Sequence, residues 1–225
     1  MSFAVVLAAA GRSSRFGETQ LKKPFLDLAG QPVWLRALEP FLGRSDVSQI
    51  LISVSPDEVD WFASTFSKPV NEHNIRVIPG GAERFDSVHN ALNAVSPNVE
   101  YIAVHDAARP LLAAEVVEQV FAAARIHGAA IPAHRVVNTL KRVVNGQIIE
   151  TVPRDDLWNA QTPQTFRRDI LLPAYAARNE FPATDEAQLV ERWGHAVHVV
   201  ECPSTNLKIT TKADFALAEH LLASS

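Results

Sequence analysis

A short segment of small and basic residues directly follows the first apolar run of this 225-residue chain. That run, Phe3 to Ala10, is typical of a buried strand, and the sequence Gly11-Arg12-Ser13-Ser14-Arg15-Phe16-Gly17 comes after it. Lys22 and Lys23 follow, so residues 11–23 contain four cations and one acid. Small residues let backbone N–H groups approach an anion closely, and arginine adds charge. The segment predicts a phosphate-binding loop, with a solvated basic loop as the alternative. It matches neither the G-x-G-x-x-G pattern nor the P-loop.

A glycine pair follows a second apolar run, Ile75 to Ile78, in the sequence Pro79-Gly80-Gly81-Ala82-Glu83-Arg84-Phe85-Asp86-Ser87. Glycine permits a positive φ and lets the backbone approach a flat ligand such as a nucleotide base. An ordinary turn before a helix would also explain the pair.

A carboxylate follows a third run, Tyr101 to Val104, in the sequence His105-Asp106-Ala107-Ala108-Arg109-Pro110. An aspartate at the carboxyl end of a buried strand is well placed to bind Mg²⁺, which prefers oxygen ligands. Capping of a turn is the alternative for Asp106. His105 is expected to be a hydrogen-bonded structural histidine.

Two later segments are interpreted as structural on their own. Thr184-Asp185-Glu186 predicts a helix N-cap followed by acids that complement the helix dipole. Residues 206–210 predict a short strand before the last helix, with Lys208 on the surface. No G-x-S-x-G elbow or H-E-x-x-H zinc pattern occurs, and Cys202 is expected to be a buried, inert thiol. A phosphate loop, a base pocket and a magnesium carboxylate together indicate nucleotide chemistry.

The elements that position these residues alternate between strand and helix patterns. Further strand runs are Ile50 to Val54 and Ala196 to Val200, and helical patterns cover Pro32 to Leu42, Glu83 to Val95 and Ala113 to Ile126. Ser55 to Glu58 predicts an N-cap with proline at the first helical position. The alternation predicts an α/β fold with an open, mostly parallel twisted sheet in one domain, residues 1–225. Ligands of such sheets bind at the carboxyl ends of the strands.

A β-hairpin pattern interrupts this alternation at residues 136–152. Two runs rich in β-formers flank Asn145-Gly146, the preferred dipeptide of a type I′ turn. An isolated two-stranded hairpin is barely stable in water. The hairpin is therefore expected to pack either on its own domain's sheet or on another subunit.

Composition excludes several classes of function. With 21 Lys+Arg against 25 Asp+Glu, the net charge is -4, which argues against a duplex nucleic-acid coat or a polybasic membrane binder. The single cysteine excludes an intrachain disulfide and a cysteine-rich metal site. No apolar run is long enough to span a bilayer, and no signal or transit peptide is recognised. We therefore expect a soluble, cytoplasmic protein with no nucleic-acid or membrane partner.

The ordered motifs resemble those of the 2-C-methyl-D-erythritol 4-phosphate cytidylyltransferases of the non-mevalonate isoprenoid pathway. Residues 8–16, AAAGRSSRF, match the family's A-A-G-x-G-x-R signature, and residues 105–110, HDAARP, match its distinctive stretch. Later family motifs follow in order at 162–166 (TPQTF), 184–187 (TDEA) and 206–210 (NLKIT). The resemblance implies a Rossmann-like fold of the nucleotide-diphospho-sugar transferase type, with helices on both faces of the sheet. It also implies cytidylyl transfer from CTP to methylerythritol phosphate, with Mg²⁺ as cofactor, in a homodimer joined through the 136–152 arm.

The resemblance also implies roles for individual residues. Arg15 and Lys23 would stabilise the transition state at the α-phosphate, and Arg154 would position the acceptor's phosphate from the partner subunit. Asp106 would bind Mg²⁺ and face the sugar phosphate. Further residues would contact the substrates: Ala9, Ala10 and Gly11 the CTP, Gly81 and Ser87 the cytosine, and Arg109, Thr139, Thr162, Thr184 and Lys208 the methylerythritol phosphate.

The chain departs from the family pattern at three places. Lys22-Lys23-Pro24-Phe25 replaces Pro-Lys-Gln-aromatic, so Lys23 aligns with the catalytic lysine while Lys22 is a rival. Ser13 replaces the second glycine of the first loop. Ala82 replaces an aspartate or asparagine, which leaves backbone groups to read the base.

Three other functions are compatible with parts of the pattern. The nearest is a cytidylyltransferase for another polyol phosphate, such as ribitol 5-phosphate. An NAD(P) oxidoreductase would need the missing G-x-G-x-x-G motif and an acid at the end of the second strand. A regulator could bind the nucleotide without turning it over.

Overall fold

The computed structural model describes residues 1–11 and 22–224, and strands alternate with helices along most of this length. The strands in these residues are β1 Phe3–Ala8, β2 Asp27–Leu28, β3 Gln31–Pro32, β4 Val47–Val54, β5 Ile75–Pro79, β6 Tyr101–Asp106, β7 Ala129–Arg135, β8 Leu140–Val144, β9 Gln147–Val152, β10 Trp158–Ala160, β11 Gln164–Arg167 and β12 His198–Glu201. The α-helices are α1 Val33–Leu38, α2 Val59–Thr65, α3 Ser67–Glu72, α4 Arg84–Asn93, α5 Ala114–His127, α6 Arg168–Ala176, α7 Glu186–Arg192 and α8 Lys212–Ala223. Short 3₁₀ helices span Lys23–Phe25, Glu39–Phe41 and Pro56–Glu58.

The main sheet has the strand order β10-β7-β11-β6-β1-β4-β5, and β12 pairs with β7. Strands β6, β1, β4 and β5 are mutually parallel, whereas β11 runs antiparallel to β6 and β7, and β10 antiparallel to β7. This confirms the predicted α/β fold with a mostly parallel sheet. The chain leaves β1 toward β4 and β5 and later returns to place β6 on the other side of β1. That reversal makes the carboxyl ends of β1 and β6 the expected ligand site.

Helices cover both faces of the sheet, which explains why its strands are continuous apolar runs. Alternate residues of β1 face opposite ways: Phe3, Val5 and Leu7 join one apolar cluster, while Ala4 and Val6 join the other. Helices α1, α2 and α5 contribute to the first cluster, and α4, α6 and α7 to the second. The central strands are thus fixed from both sides and form a rigid support for the loops at their ends.

One local prediction about the connecting segments was wrong, and another was confirmed only in part. Residues 206–210 form no strand; instead the backbone N–H of Ile209 donates to the carbonyl of Ala108 at 2.8 Å, and Ile209 is buried. Ser55 precedes a short 3₁₀ helix that begins at Pro56, as predicted. Its side chain does not cap that helix, because its hydroxyl donates to the carbonyl of Ala10 and contacts Lys22. In both places a long-range partner decides the local structure.

The hairpin β8–β9 forms a two-stranded sheet of its own. Asn145 and Gly146 have φ values of 50° and 79°, the positive pair that a type I′ turn requires. The alternative that the hairpin packs on the main sheet was wrong for the described residues. Cross-strand partners Val143 and Ile148 are 52% and 63% exposed, so this surface lies open in the single chain. Among the described residues, no helix combines the length and apolar character needed to cross a membrane.

Candidate active site

The cavity at the carboxyl ends of β1 and β6 brings together most of the residues singled out in the sequence. Its lining includes Ala9, Ala10, Gly11, Lys23, Ser87, Asp106 and Lys208. Strand register explains the convergence, since Ala8 at the end of β1 lies opposite Asp106 at the end of β6. Segments separated by about a hundred positions of sequence therefore meet at one edge of the sheet.

Asp106 lies at the centre of a cluster of cations. Its Oδ2 is 2.9 Å from Nζ of Lys208 and 3.5 Å from Nε of Arg109, and its Oδ1 is 3.4 Å from Nε of Arg84. Burial alone would raise the pKa of the Asp106 carboxyl, but the charges of Arg84, Lys208 and Arg109 outweigh it and hold that pKa well below its usual value. Asp106 is therefore an ionised carboxylate among three cations, rather than a simple turn cap.

Arg84 is the principal site residue that the sequence interpretation missed. Its Nη1 and Nη2 lie 2.7 and 2.9 Å from the two carboxylate oxygens of Glu186, and Oε1 of Glu186 also accepts the Tyr175 hydroxyl at 2.9 Å. Burial alone would lower the pKa of Arg84, but the carboxylates of Glu186 and Asp106 raise it. The available signal was a cation in the first turn of a helix, just beyond a strand that ends at the same sheet edge as Asp106.

Glu186 lies in the first turn of α7, where an acid that complements the helix dipole was expected, but its main partner is a cation. Glu186 is fully buried and forms a bidentate ion pair, because the fold brings Arg84 to it across the site. The N-cap prediction for Asp185 is confirmed: its Oδ1 accepts the backbone N–H of Gln188 at 2.9 Å. Its Oδ2 accepts from the side chain of Gln164 at 2.8 Å.

His105 and Thr162 support the backbone beneath Asp106. The Thr162 hydroxyl accepts the backbone N–H of Asp106 at 3.1 Å and lies 2.9 Å from Nδ1 of His105. Full burial lowers the pKa of His105 to about 3, so its imidazole is neutral at physiological pH. This confirms His105 as a hydrogen-bonded structural histidine. Thr162 is itself buried and acts here as a brace for the strand end.

A second pocket of about 290 Å³ adjoins the first on the other side of Asp106. Its lining includes Arg109, Thr162, Thr184 and Lys208, all of them expected around a phosphorylated acceptor. Arg109 is positioned by its Nη1, which donates to the carbonyl of Asn206 at 2.8 Å. The described residues thus show two pockets that share Arg84, Asp106 and Lys208.

Buried polar side chains that the sequence interpretation did not single out support this second pocket. The Asn206 amide donates to Oε1 of Gln161 at 2.9 Å and to the carbonyl of Thr162 at 3.0 Å. Sγ of Cys202 donates to the same Oε1 at 2.7 Å, and burial raises the pKa of this thiol. Cys202 is therefore the buried thiol that was expected.

The glycine pair is needed for space, not for unusual backbone angles. A Cβ on Gly80 would lie 2.7 Å from Cβ of Ala10, and one on Gly81 would overlap the side chain of Asp86. Neither glycine has a positive φ, so that part of the expectation was wrong. The Ser87 hydroxyl accepts the backbone N–H of Gly81 at 3.0 Å and donates to the carbonyl of Glu83 at 3.0 Å. Ser87 thus fixes the glycine loop to the first turn of α4.

The two adjacent lysines occupy different surroundings. Lys22 Nζ is 2.8 Å from Oε2 of Glu58 and contacts Ser55, and its side chain lines a groove beside the main cavity. Lys23 begins a 3₁₀ helix that Phe25 anchors in the core, and its side chain lines the cavity with Asp106 and Lys208. This geometry favours Lys23 over Lys22 at the reacting centre.

Several predicted residues are not among the described residues that line the two pockets. Arg15, and Ser13 beside it, lie outside the described residues. Thr139 lies in the 136–152 arm and Arg154 just after it, and both are exposed. Arg154 donates to the carbonyl of Val137. They line neither pocket of their own chain. Ala82 is exposed at the edge of the groove that Lys22 lines.

The charge balance of the site suits anionic ligands. Lys23, Arg84, Arg109 and Lys208 oppose Asp106, Asp185 and Glu186, a surplus of one positive charge from four cations and three carboxylates. No group of three or more His, Cys, Asp or Glu side chains among the described residues is placed to bind a metal ion. Asp106 is the carboxylate that both pockets share, whereas both oxygens of Asp185 already accept hydrogen bonds. This fits Mg²⁺ held jointly by one carboxylate, ligand phosphates and water.

Comparison with known proteins gives a consistent result over the whole chain. A sequence model of the 2-C-methyl-D-erythritol 4-phosphate cytidylyltransferase family matches residues 3–224. The protein of that name from Pelotomaculum thermopropionicum is 40% identical over 223 residues, 97% of this chain and 93% of the relative. The one from Endomicrobium trichonymphae is 39% identical over 225 residues, the whole of both chains.

The fold agrees with these sequence matches. The crystal structure of 2-C-methyl-D-erythritol 4-phosphate cytidylyltransferase from Thermus thermophilus superposes with a TM-score of 0.82 at 32% identity. The match covers 99% of this chain and all of the other.

Proposed function

The chain belongs to the 2-C-methyl-D-erythritol 4-phosphate cytidylyltransferase family, and from this premise we propose how its residues divide the reaction between two pockets. It is a cytidylyltransferase that uses CTP to form 4-diphosphocytidyl-2-C-methyl-D-erythritol. The observation that carries the assignment of roles is the position of Asp106 and Lys208, which line both pockets. A nucleotide in one pocket and a phosphorylated acceptor in the other would meet at these side chains.

CTP occupies the main cavity beside the first loop and extends into the adjoining groove, which Gly81 lines. Ala9, Ala10 and Gly11 bring backbone against its phosphates, while Gly81 and Ser87 fix the loop beside the base. Lys23 faces the α-phosphate from the start of its 3₁₀ helix, and we assign Arg15 to the same phosphate by resemblance to the family. Both cations would stabilise negative charge that grows at the α-phosphate in the transition state.

Methylerythritol phosphate occupies the second pocket. Arg109 and Lys208 supply positive charge there, and the Thr184 and Thr162 hydroxyls border it. The exposed side chain of Lys208 can exchange its contact with Asp106 for one with the acceptor phosphate. Thr139 and Arg154 would reach this pocket from the arm of a partner subunit.

The acceptor phosphate is the nucleophile, and no side chain has to act as general base. The second pKa of a phosphate monoester is about 6, so its dianion is already abundant at neutral pH. One of its oxygens attacks the α-phosphorus of CTP in line, and the bond from that phosphorus to diphosphate breaks. The main barriers are repulsion between two anions and the charge on the leaving diphosphate, which fixed cations reduce.

Mg²⁺ fits this site as a complex with CTP. Asp106 would contribute one carboxylate oxygen, and the nucleotide phosphates the other charged ligands. When bound, the ion neutralises phosphate charge and polarises the reacting phosphoryl oxygens.

A homodimer through the 136–152 arm is supported by the exposed apolar surface of the hairpin. Val144 and Ile149 are 50% and 59% exposed, in addition to the Val143–Ile148 pair. A two-stranded sheet without a covered face is marginal in water, so a partner surface would stabilise it. The second copy would also carry Thr139 and Arg154 to the neighbouring acceptor pocket.

The preferred acceptor is tested by diphosphate release with CTP, ATP, GTP and UTP against methylerythritol phosphate and ribitol 5-phosphate. Turnover with CTP and methylerythritol phosphate is expected to exceed every other combination by at least tenfold. Faster turnover with ribitol 5-phosphate would reassign the acceptor, and CTP binding without diphosphate release would indicate a regulator. Comparable turnover with another nucleotide would show that the loop with Ala82 does not select cytosine.

A further inference from the structure

We propose that Arg84 and Glu186 form a fixed positioning pair that holds the Asp106 carboxylate between the nucleotide and acceptor pockets. This inference goes beyond the residues assigned above and rests on the proposed role of Asp106. Arg84 would act through Asp106, without contacting the reacting atoms.

The contacts of the Arg84 guanidinium carry the proposal. Each of its three nitrogen atoms has a carboxylate partner: Nη1 and Nη2 donate to the two oxygens of Glu186, and Nε donates to Oδ1 of Asp106. A planar guanidinium bound at both ends of its fork has little freedom to turn. Its orientation, and with it the position of Oδ1 of Asp106, is set by the protein before substrate arrives.

The burial of Glu186 keeps its ion pair with Arg84 closed. The side chain of Glu186 has no solvent exposure, whereas that of Arg84 is 27% exposed. A buried carboxylate that loses its cation pays a large desolvation cost, so Arg84 cannot leave Glu186 to follow a phosphate. The Tyr175 hydroxyl adds a hydrogen bond to the same carboxylate.

The Arg84–Glu186 pair also connects a helix beside the nucleotide pocket to a helix beside the acceptor pocket. Arg84 is the first residue of α4, directly after the glycine loop of the nucleotide pocket, and Glu186 is the first residue of α7, directly after Thr184 and Asp185 of the acceptor pocket. Asp106 ends β6 between them. Because Arg84 contacts both carboxylates, it fixes the position of the nucleotide pocket relative to the acceptor pocket on either side of Asp106.

The decisive variant is the double substitution Arg84→Met with Glu186→Gln. It removes one positive and one negative charge, so the net charge near the substrates is unchanged. We expect kcat to fall by about 10²-fold, as misplacement of a reacting group by an ångström can cause. Arg84 lines both pockets, so KM separates the two roles. Positioning through Asp106 should leave the KM values for CTP and methylerythritol phosphate within about threefold, whereas direct substrate binding by Arg84 would raise them. Glu118→Gln, which alters the exposed partner of Arg44, is the matched control and should keep wild-type kcat.

The thermal midpoint separates positioning from stability. Glu186→Gln alone leaves Arg84 without its partner and should lower Tm by roughly 10 °C, while the double variant regains part of this loss. If the Arg84–Glu186 pair only stabilised the fold, kcat would recover together with Tm in the double variant. We expect kcat to stay low in the double variant, and recovery of kcat would overturn the proposal.

Arg84→Lys provides a second test that does not depend on the double variant folding. It keeps the charge, but a single ammonium cannot hold Glu186 at both oxygens and reach Asp106 as well. We expect a tenfold or greater loss of kcat, and wild-type kcat would overturn the proposal. A rise of tenfold or more in KM for CTP with unchanged kcat would also overturn it, by showing direct nucleotide binding.

Asp106→Ala separates the proposed role of Asp106 from the proposed role of the Arg84–Glu186 pair. If Asp106→Ala remains active, the proposed role of Asp106 fails. If Asp106→Ala is inactive while the Arg84 variants are normal, only the positioning pair fails.

Discussion

Lys208 and Asp106 form an ion pair of 2.9 Å in which the two partners differ sharply in exposure. The side chain of Lys208 is 39% exposed, whereas that of Asp106 is 9% exposed. Asp106 keeps Arg84 and Arg109 as partners when Lys208 moves away. The pair can therefore open toward an incoming phosphate without leaving a buried carboxylate uncompensated.

Replacing Lys208 with alanine tests this role. We expect kcat/KM for methylerythritol phosphate to fall by about 10²-fold, because a charge aimed at the acceptor phosphate is lost. Lys208→Arg should recover part of it. Initial rates of diphosphate release against acceptor concentration provide the measurement. Lys212→Ala, four residues along on the exposed side of α8, is the matched control, and equal effects of the two alanine variants would contradict a specific role.

The adjacent lysines allow an equally direct comparison. Lys23→Ala should lower kcat by roughly 10²-fold or more, since it removes a preorganised charge from the cavity. Lys22→Ala removes only the contacts with Glu58 and Ser55 at the side groove, and kcat should stay within about threefold of wild type. Steady-state kinetics with saturating CTP would decide, and a crippled Lys22→Ala beside a normal Lys23→Ala would reverse the assignment.

The sequence predicts those parts of the site that follow directly from local pattern. A buried apolar run ending in small or acidic residues places Ala9, Gly81 and Asp106 at one edge of a parallel sheet. It does not reveal that the partner of Arg84 is Glu186, 102 positions later, because only the tertiary fold brings the first residues of α4 and α7 together. The same applies to Lys208, which sequence alone places on the surface and which the fold turns toward Asp106.

Prediction from local sequence also fails where a residue fits two different structural roles equally well. Glu186 fits a helix dipole equally well whether it is solvated or buried, and only the tertiary partner distinguishes the two. Lys22 and Lys23 are indistinguishable by composition, and the 3₁₀ helix that starts at Lys23 directs them to different sides.

The arm is expected to carry the dimer contact. Ile148→Asp places a charge on the exposed face that Ile148 shares with Val143, and burial of that charge should raise the dimer dissociation constant by roughly 10²-fold or more. Sedimentation equilibrium should then show monomer at concentrations where the wild type is dimeric. Ile126→Asp, at a 76% exposed isoleucine of α5, is the control. An unchanged dimer in Ile148→Asp would place the interface elsewhere.

Sharing of sites between subunits can be tested by mixing inactive variants. Lys23→Ala and Arg154→Ala each damage every site of their own homodimer. In a random mixture, half of the dimers are mixed, and one of the two sites in each has both residues intact if Arg154 acts in the partner's site. About one quarter of wild-type activity should then return.

The control for that experiment is a mixture of Lys23→Ala with Lys208→Ala. These two lysines line the same cavity of one chain, so no site in a mixed dimer has both intact, and no activity should return. Failure of the Lys23→Ala and Arg154→Ala mixture to regain activity in verified mixed dimers would count against a shared site.

Binding of a divalent cation should require the nucleotide. Asp106 already has three cations beside it, and the described residues offer no cluster of further acidic or histidine ligands. A second carboxylate or a phosphate is therefore needed before Mg²⁺ can compete for Asp106. Mn²⁺ can replace Mg²⁺ as a spectroscopic probe, and electron paramagnetic resonance measures the free ion. We expect Mn²⁺ to bind weakly to the enzyme without CTP. We expect the mixture of enzyme and CTP to bind Mn²⁺ at least tenfold more tightly than CTP does without enzyme. Asp106→Asn should abolish the gain while leaving the CTP-only baseline unchanged. Tight binding of Mn²⁺ to the enzyme without CTP would show instead that the protein holds a preformed metal site.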